Sequence, residues 1–441
     1  MGSRFALVNP NWTFTGSTYF GCQEPHIPLE LLFASDKIRE AGYESLVIDA
    51  QVGDLSIEEV KRTLGVFAPD YLVIPTAPSY LFWRCPQPEL RVPREWFDGL
   101  TSNSVANPVK VAIGPHPSAT PSMALRKLNC DVVMRGEPDV TLSQLPSKPW
   151  QEVDGCCWRR ADGKEYISAQ LGVVQMKTLG ALTFDEYPVE FHSHRHHVFN
   201  GKGRGAELEF ARGCPWACTF CNKTLFRNSY REREVSAVLE EVDRLIARGA
   251  DYIYFIDEIF GVGKNVLKLL EGIAQRNVTI GFQSRIDLWS EETLDLLGRA
   301  RCISFECGIE SVTEQGRDEL NKNCRMDTER LSELLIYART RIPWVQANLI
   351  LNEHDDREVI RQWQARMKAH GVWVSEPVPM FPFPGSPLYQ KTFGAPPDDF
   401  AWERAHRDYR SKFDDKGYSD IQEQRPAMIE ELETISQGRA Q

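Results

Sequence analysis

The sequence predicts an α/β protein built on two successive parallel sheets, with a short helical segment after them. Three observations carry this expectation. Short β-rich runs alternate with amphipathic helical stretches, the alternation lapses after residue 145 and resumes at 205, and most of the runs in the first series end in Pro, Gly or Asp. Strands separated by helices imply parallel pairing through right-handed crossovers. Ligands of such sheets bind in the loops at the carboxyl ends of the strands.

The first series covers residues 1–145, with strands expected at 5–10, 45–50, 71–78, 109–118 and 131–139. One helix starts after Pro28 and stops at Gly42, the usual Pro-in, Gly-out pattern. The next opens with the capping box Ser56-x-x-Glu59 and lines up Val60, Leu64 and Phe67 on one face. The ligand loops are then "PTAPSY", "GPHPS" and "RGEPD". Residues 146–204 read as a linker with one β-hairpin, turning on Asp162-Gly163. Its polar end holds His192, His194, His196 and His197. Such a tract is only a compositional metal signal, and an exposed linker accounts for it better.

The second series, 205–395, has strands expected at 205–211, 251–257, 278–284, 302–308, 345–351 and 372–381. Val235, Val238, Leu239, Val242, Leu245 and Ile246 trace one face of a helix that ends at Gly249, and another helix starts at Asp327. Six repeats predict a partial (β/α)6 barrel with functional loops at the strand carboxyl ends. Residues 396–441 are polar and helix-prone. Arg404, Arg407 and Arg410 there could offer anion contacts, but a solvated charged helix explains them better.

Composition narrows the class. Over 441 residues, 42% hydrophobic and 26% charged describe an ordinary soluble globular chain. No apolar run approaches the ~18 residues of a membrane span, and the strand-like N-terminus predicts no signal peptide. A formal charge of −11 argues against a broad nucleic-acid face, leaving small molecules and proteins as partners. Eleven cysteines, an odd and scattered set, point to a reducing cytoplasmic setting. Cys22, Cys85, Cys130, Cys156, Cys157, Cys302, Cys307 and Cys324 are read as free thiols.

Only "ARGCPWACTFCNK", residues 211–223, has ligand-like spacing, in Cys214, Cys218 and Cys221. The spacing also fits one stripe of a helix, but Gly213 and Pro215 flank the first cysteine and oppose a helix interior. Zinc would need a fourth ligand, which only His192 to His197 supply nearby in sequence. A 4Fe–4S cluster with one iron left unligated by protein fits the count of three better. The stretch resembles the CxxxCxxC loop of the radical S-adenosylmethionine (SAM) superfamily, including the aromatic Phe220 before the last cysteine. The resemblance implies that SAM fills the open iron position. It further implies SAM contacts from Asp257 and Glu258 in "YFIDEIF", Ser284 and Arg285 in "QSRID", and Gly308, Glu310 and Ser311 in "ECGIES". "PFPGSPLY" (382–389) is similar to the family's segment at the sixth strand.

The N-terminal segments "PHIPLELLFASDKIREAGYE", "GPHPSATP" and "RGEPDVTLSQL" resemble the Rossmann-like cobalamin-binding domain of cobalamin-dependent radical SAM enzymes. That implies corrin contacts from Thr76, Ser79, Tyr80, Gly114, His116, Gly136 and Glu137. The D-x-H-x-x-G segment that carries a lower cobalt ligand is not in this sequence; His26 and His116 are read as local hydrogen-bonding residues, and Tyr80, Phe82 or Trp83 as possible cover for the lower face. By resemblance the reaction is methylation of an unactivated carbon, with a 5′-deoxyadenosyl radical taking hydrogen and methylcobalamin supplying the methyl group. The alternatives are cyclisation, ring contraction or oxidation with the same cofactors, and a non-catalytic cluster or corrinoid sensor. A flavodoxin or ferredoxin-type donor is implied, because no second cysteine constellation is present.

Overall fold

A computed structural model describes residues 2–12, 25–78, 90–102, 107–185, 187–189, 192 and 204–414. Among these, seven strands form the first sheet. Five are parallel: β1 (Arg4–Asn9), β2 (Glu44–Asp49), β3 (Tyr71–Pro75), β4 (Val109–Ile113) and β5 (Val132–Met134). The hairpin β6 (Cys156–Arg159) and β7 (Glu165–Tyr166) adds two antiparallel strands, giving the order β2-β1-β3-β4-β5-β6-β7. The expected linker therefore begins as an extension of the first sheet, because Cys156 and Cys157 pair with Met134 and Val133. Strand order reverses direction between β1 and β3, which opens a crevice at their carboxyl ends.

The two expected helices are present as Leu29–Glu40 and Ile57–Phe67, the second with both halves of the Ser56–Glu59 capping box. Three more elements were not expected. Arg91–Thr101 is helical, and "GPHPS" is the start of a short helix, Pro115–Ala119, followed by Pro121–Lys127. Proline at the first helical position explains both starts, since its missing N–H has no partner to lose there.

The second sheet is parallel and ordered β15-β14-β13-β12-β11-β8 among the described residues. Its strands are β8 (Arg204–Leu208), β11 (Ala250–Phe255), β12 (Thr279–Ser284), β13 (Cys302–Glu310), β14 (Trp344–Leu349) and β15 (Trp373–Val374). Each strand pairs with its successor in the series, the open-barrel connectivity that six β/α repeats imply. Between β8 and β11 lies a small antiparallel ribbon, β9 (Ala211–Arg212) with β10 (Arg231–Glu232). Phe282 and Phe305 pack on Trp289 at the start of the helix Glu291–Arg299, so that side of the sheet is the helix-covered one.

The helix Ala401–Asp414 docks on the first domain rather than standing in solvent. Trp402 is buried against His116, with ring centres 4.4 Å apart, and donates to Thr120 at 2.9 Å. Arg410 is buried, and Arg404 donates to Tyr389 at 3.0 Å. No described helix is long and apolar enough to cross a membrane. The described cysteines are free thiols, and those in strands are buried: burial pushes Cys156 up to about 12. Cys22 and Cys85 lie outside the described residues.

Candidate functional site

The cysteine loop follows β9, the ribbon strand beyond β8. Gly213 turns it with φ +84°, and a β-carbon there would meet the Ser229 carbonyl oxygen at 2.1 Å. Only glycine fits this position. Cys214, Cys218 and Cys221 follow, all half-buried, and burial raises each thiol, Cys221 to about 12. Phe220 is half-buried beside them. The loop is held by its surroundings at almost every residue. Lys223 donates to the Cys214 carbonyl at 2.6 Å, Asn321 to that of Ala217 at 2.7 Å, and Thr219 N–H to that of Leu320 at 3.0 Å. Leu388, in the "PFPGSPLY" segment, donates to the Thr219 carbonyl at 3.0 Å. The buried Asn222 Oδ1, next to Cys221, has no hydrogen-bond partner among the described residues.

Asp257 and Glu258, expected to hold the SAM amine, are committed to the protein. Asp257 is fully buried, and its two oxygens accept from the backbone N–H groups of Phe210 (2.8 Å) and Ala211 (3.0 Å). Glu258 accepts from Gly213 N–H at 2.7 Å and from Arg227 at 3.0 Å. Both carboxylates thus position the loop that carries the cysteines. Burial raises both above the ordinary range, Asp257 strongly.

Other residues of the set do line the loop. Arg285 stacks over Trp216 at 4.4 Å and is gripped by Asp287 at 2.9 and 2.6 Å. Ser284 bonds the Phe260 carbonyl and Trp289, so its hydroxyl is turned into the protein. Glu310 has φ +69°, rare for a side chain other than Gly or Asn, and sits where β13 shifts register against β14. Lys322 donates to it at 3.1 Å. Gly308 makes room for that carboxylate, since a β-carbon there would lie 2.3 Å from Glu310 Oε1. Ser311 instead bonds Asp355 at 2.7 Å, away from the loop.

At the carboxyl edge of the first sheet, Thr76 follows β3 with its hydroxyl fully buried and without a hydrogen-bond partner among the described residues. Gly114 ends β4 at φ 113°, ψ −158°, a conformation only glycine holds easily. These two fit a ligand that takes a hydrogen bond and approaches backbone closely. Ser79, Tyr80, Phe82 and Trp83 lie outside the described residues. Three further residues expected to contact the corrin have close protein neighbours. The close neighbour of Gly136 is protein, the Gly172 carbonyl, 2.4 Å from where a β-carbon would stand. Glu137 is buried and bonded by Arg231 at 2.8 and 2.5 Å, so it faces the barrel domain. His116 is enclosed under Trp402.

Of the histidine tract, His192 is buried in the first domain, 2.6 Å from the Tyr187 hydroxyl, where burial lowers its pKa. It is not the exposed residue expected of a linker. His194, His196 and His197 lie outside the described residues. His26 hydrogen-bonds Glu207 of β8 at 2.6 Å, a partner distant in sequence rather than the local one expected.

Sequence reasoning missed a buried lattice of ion pairs between the domains. Arg212 grips Asp139 with two bonds of 2.8 Å and reaches Glu209 at 2.8 Å. Arg227 joins Glu30 (3.1 Å), Glu209 (2.7 Å) and Glu258 (3.0 Å). Buried arginine needs such partners. The run of four arginines at 227, 231, 233 and 212 among strand-end acids was the available signal.

The radical SAM superfamily profile matches residues 208–363. An uncharacterized methyltransferase of Pyrococcus horikoshii is 23% identical over 307 residues, 65% of this chain and 61% of that protein. An anaerobic magnesium-protoporphyrin IX monomethyl ester cyclase of Rubrivivax gelatinosus is 24% identical over 346 residues, 74% of this chain and 59% of that one. The chain thus spans about 60% of the length of these relatives. Among solved structures, the radical SAM methyltransferase TsrM of Kitasatospora setae, with cobalamin and a [4Fe-4S] cluster bound, has a TM-score of 0.67 at 17% identity. The match covers 88% of this chain and 74% of TsrM. Residues 208–363 thus match the radical SAM superfamily, and the chain's two-sheet fold is similar to that of TsrM.

Proposed function

We propose that this chain is a cobalamin-dependent radical SAM enzyme, and that it transfers a methyl group to an unactivated carbon of a small molecule. The carrying observation is the three-cysteine loop, pinned by Asp257, Glu258 and Lys223 and supplied with three thiols rather than four. Cys214, Cys218 and Cys221 hold a 4Fe–4S cluster; Arg285 and Glu310 face SAM beside it. Thr76 and Gly114, at the carboxyl edge of the first sheet, fit the corrin. The cluster supplies reductive cleavage of SAM, and cobalamin carries the methyl group. The protein's own part is positional. Asp257 holds two backbone N–H groups and Glu258 a third, so the loop reaches the cluster already shaped. Trp216 and Arg285 shield one side of it from water. A cytoplasmic setting and a flavodoxin or ferredoxin-type electron donor complete the reading.

The cyclase relative favours a second reading, the same cofactors without net methyl transfer. Anaerobically reconstituted protein, supplied with SAM and a low-potential reductant, separates them once a substrate is found. S-adenosylhomocysteine formed alongside 5′-deoxyadenosine supports methylation; 5′-deoxyadenosine alone supports the second reading, and neither product contradicts both.

A further inference from the structure

Side chains of the barrel sheet alternate between its two faces. Phe282 and Phe305 point to the helix side, against Trp289. Gln283, Glu306, Gln346 and Trp373 therefore point to the other side, the lumen, and are register partners on four consecutive strands. Within this layer Glu306 is half-buried; Gln283 donates to its Oε2 at 2.7 Å, and the Tyr254 hydroxyl lies 3.5 Å from its Oε1.

Glu306 differs in one respect from four of the acids around the cysteine loop. Glu209, Glu258, Asp287 and Glu310 pair with Arg212, Arg227, Arg285 and Lys322. Among the described residues Glu306 forms no ion pair, so its charge stands uncompensated beside neutral amide and phenol groups. Two residues earlier on the same face, the Ser304 hydroxyl is fully buried and has no hydrogen-bond partner among the described residues. A charge and a hydroxyl kept unpaired inside a protein cost stability unless a ligand completes them.

We infer that Glu306, with Gln283 and Ser304, forms a subsite for a cationic group of the substrate, a primary ammonium or a guanidinium. The inference rests on the radical SAM reading above, since it places the substrate in this lumen. Gln283 holds one oxygen of Glu306 and the Tyr254 hydroxyl approaches the other, but both donors are neutral, so the place of a cationic partner is left to the ligand. Anionic groups are repelled by the same arrangement. Along β13, Glu306 lies four residues before Glu310, on the order of 13 Å at strand rise. The charged end of the substrate is thus held away from the cysteine loop, and binding energy collected there orients the reacting carbon.

The test is equilibrium binding to the full-length reconstituted protein without reductant, so it needs no turnover. The probes are 4-phenylbutylamine, its neutral isostere 4-phenylbutanol and the anion 4-phenylbutyrate, with the SAM dissociation constant measured in parallel. The wild type should bind the amine at least about tenfold more tightly than the alcohol, as a charge-assisted hydrogen bond gives, and the carboxylate least of all. Glu306→Gln should abolish the preference while SAM affinity stays within about twofold, and Glu306→Asp should retain its direction. Equal binding of amine and alcohol to wild type would overturn the assignment. So would a Glu306→Gln variant that loses SAM affinity as much as amine affinity, because the carboxylate would then serve SAM. Absence of 5′-deoxyadenosine in a separate reduced sample would count against the radical reading itself, independently of the probe result.

Discussion

Replacing Arg212 by methionine tests how the two domains are joined. Arg212 is fully buried and makes three charge-assisted hydrogen bonds of 2.8 Å, two of them to Asp139. Asp139 is equally buried and takes hydrogen bonds from no other described residue, whereas Glu209 keeps Arg227. Methionine therefore strands one carboxylate. Breaking a buried ion pair from one side in this way costs roughly 3–5 kcal/mol. Urea unfolding followed by tryptophan fluorescence reads the loss. Arg212→Met/Asp139→Leu, which removes both charges, should recover most of it. A single variant within about 1 kcal/mol of wild type, or a double variant no better than the single, would refute this account of the interface.

Other outcomes follow from the same geometry. Gly213→Ala places a β-carbon 2.1 Å from a carbonyl at φ +84°, so the purified variant should bind much less iron on reconstitution than wild type, measured by iron and sulfide analysis. Thr76→Val fills the same volume without the unpartnered hydroxyl, and should lower corrinoid retained after gel filtration while leaving iron content unchanged. Acid should loosen the domain interface. Burial opposes ionisation of Glu137 and Glu209, but Arg231 and Arg212 outweigh it and leave both below the usual glutamate range. Their folded-state pKa values are lowered, so the stability they contribute is complete above about pH 4.5 and is lost as pH falls through the lowered values. Unfolding midpoints measured from pH 6 to pH 3 should drop below pH 4.5, and a flat profile there contradicts the ion-pair assignment.

Much of this molecule was legible in its sequence, for reasons that differ by element. The strands of both sheets were readable because a parallel strand is buried on two faces and appears as a short apolar run between turn residues. The Ser56–Glu59 box fixed a helix start because both halves of the cap are local. The cysteine loop was readable because ligand spacing and helix breakers coincide within eleven residues, 213 to 223. What was not legible depends on contacts distant in sequence. Asp257 and Glu258 stand where the motif places them, yet their oxygens face Phe210, Ala211, Gly213 and Arg227, and no local pattern encodes that. Glu137 and Gly136 were assigned to a ligand although Arg231 and Gly172, tens of residues away, already occupy their reach. His192 was read as exposed because its neighbours are polar, while Tyr187 and the first sheet enclose it.

The central claim is that three cysteines hold a cluster whose open iron engages SAM. The most direct measurement is 5′-deoxyadenosine released by anaerobically reconstituted protein under a low-potential reductant, compared with Cys214→Ala, Cys218→Ala and Cys221→Ala. The account predicts 5′-deoxyadenosine from the wild type and none from any of the three variants. Release that survives in one variant, or none from a wild type carrying four irons per chain, would contradict it.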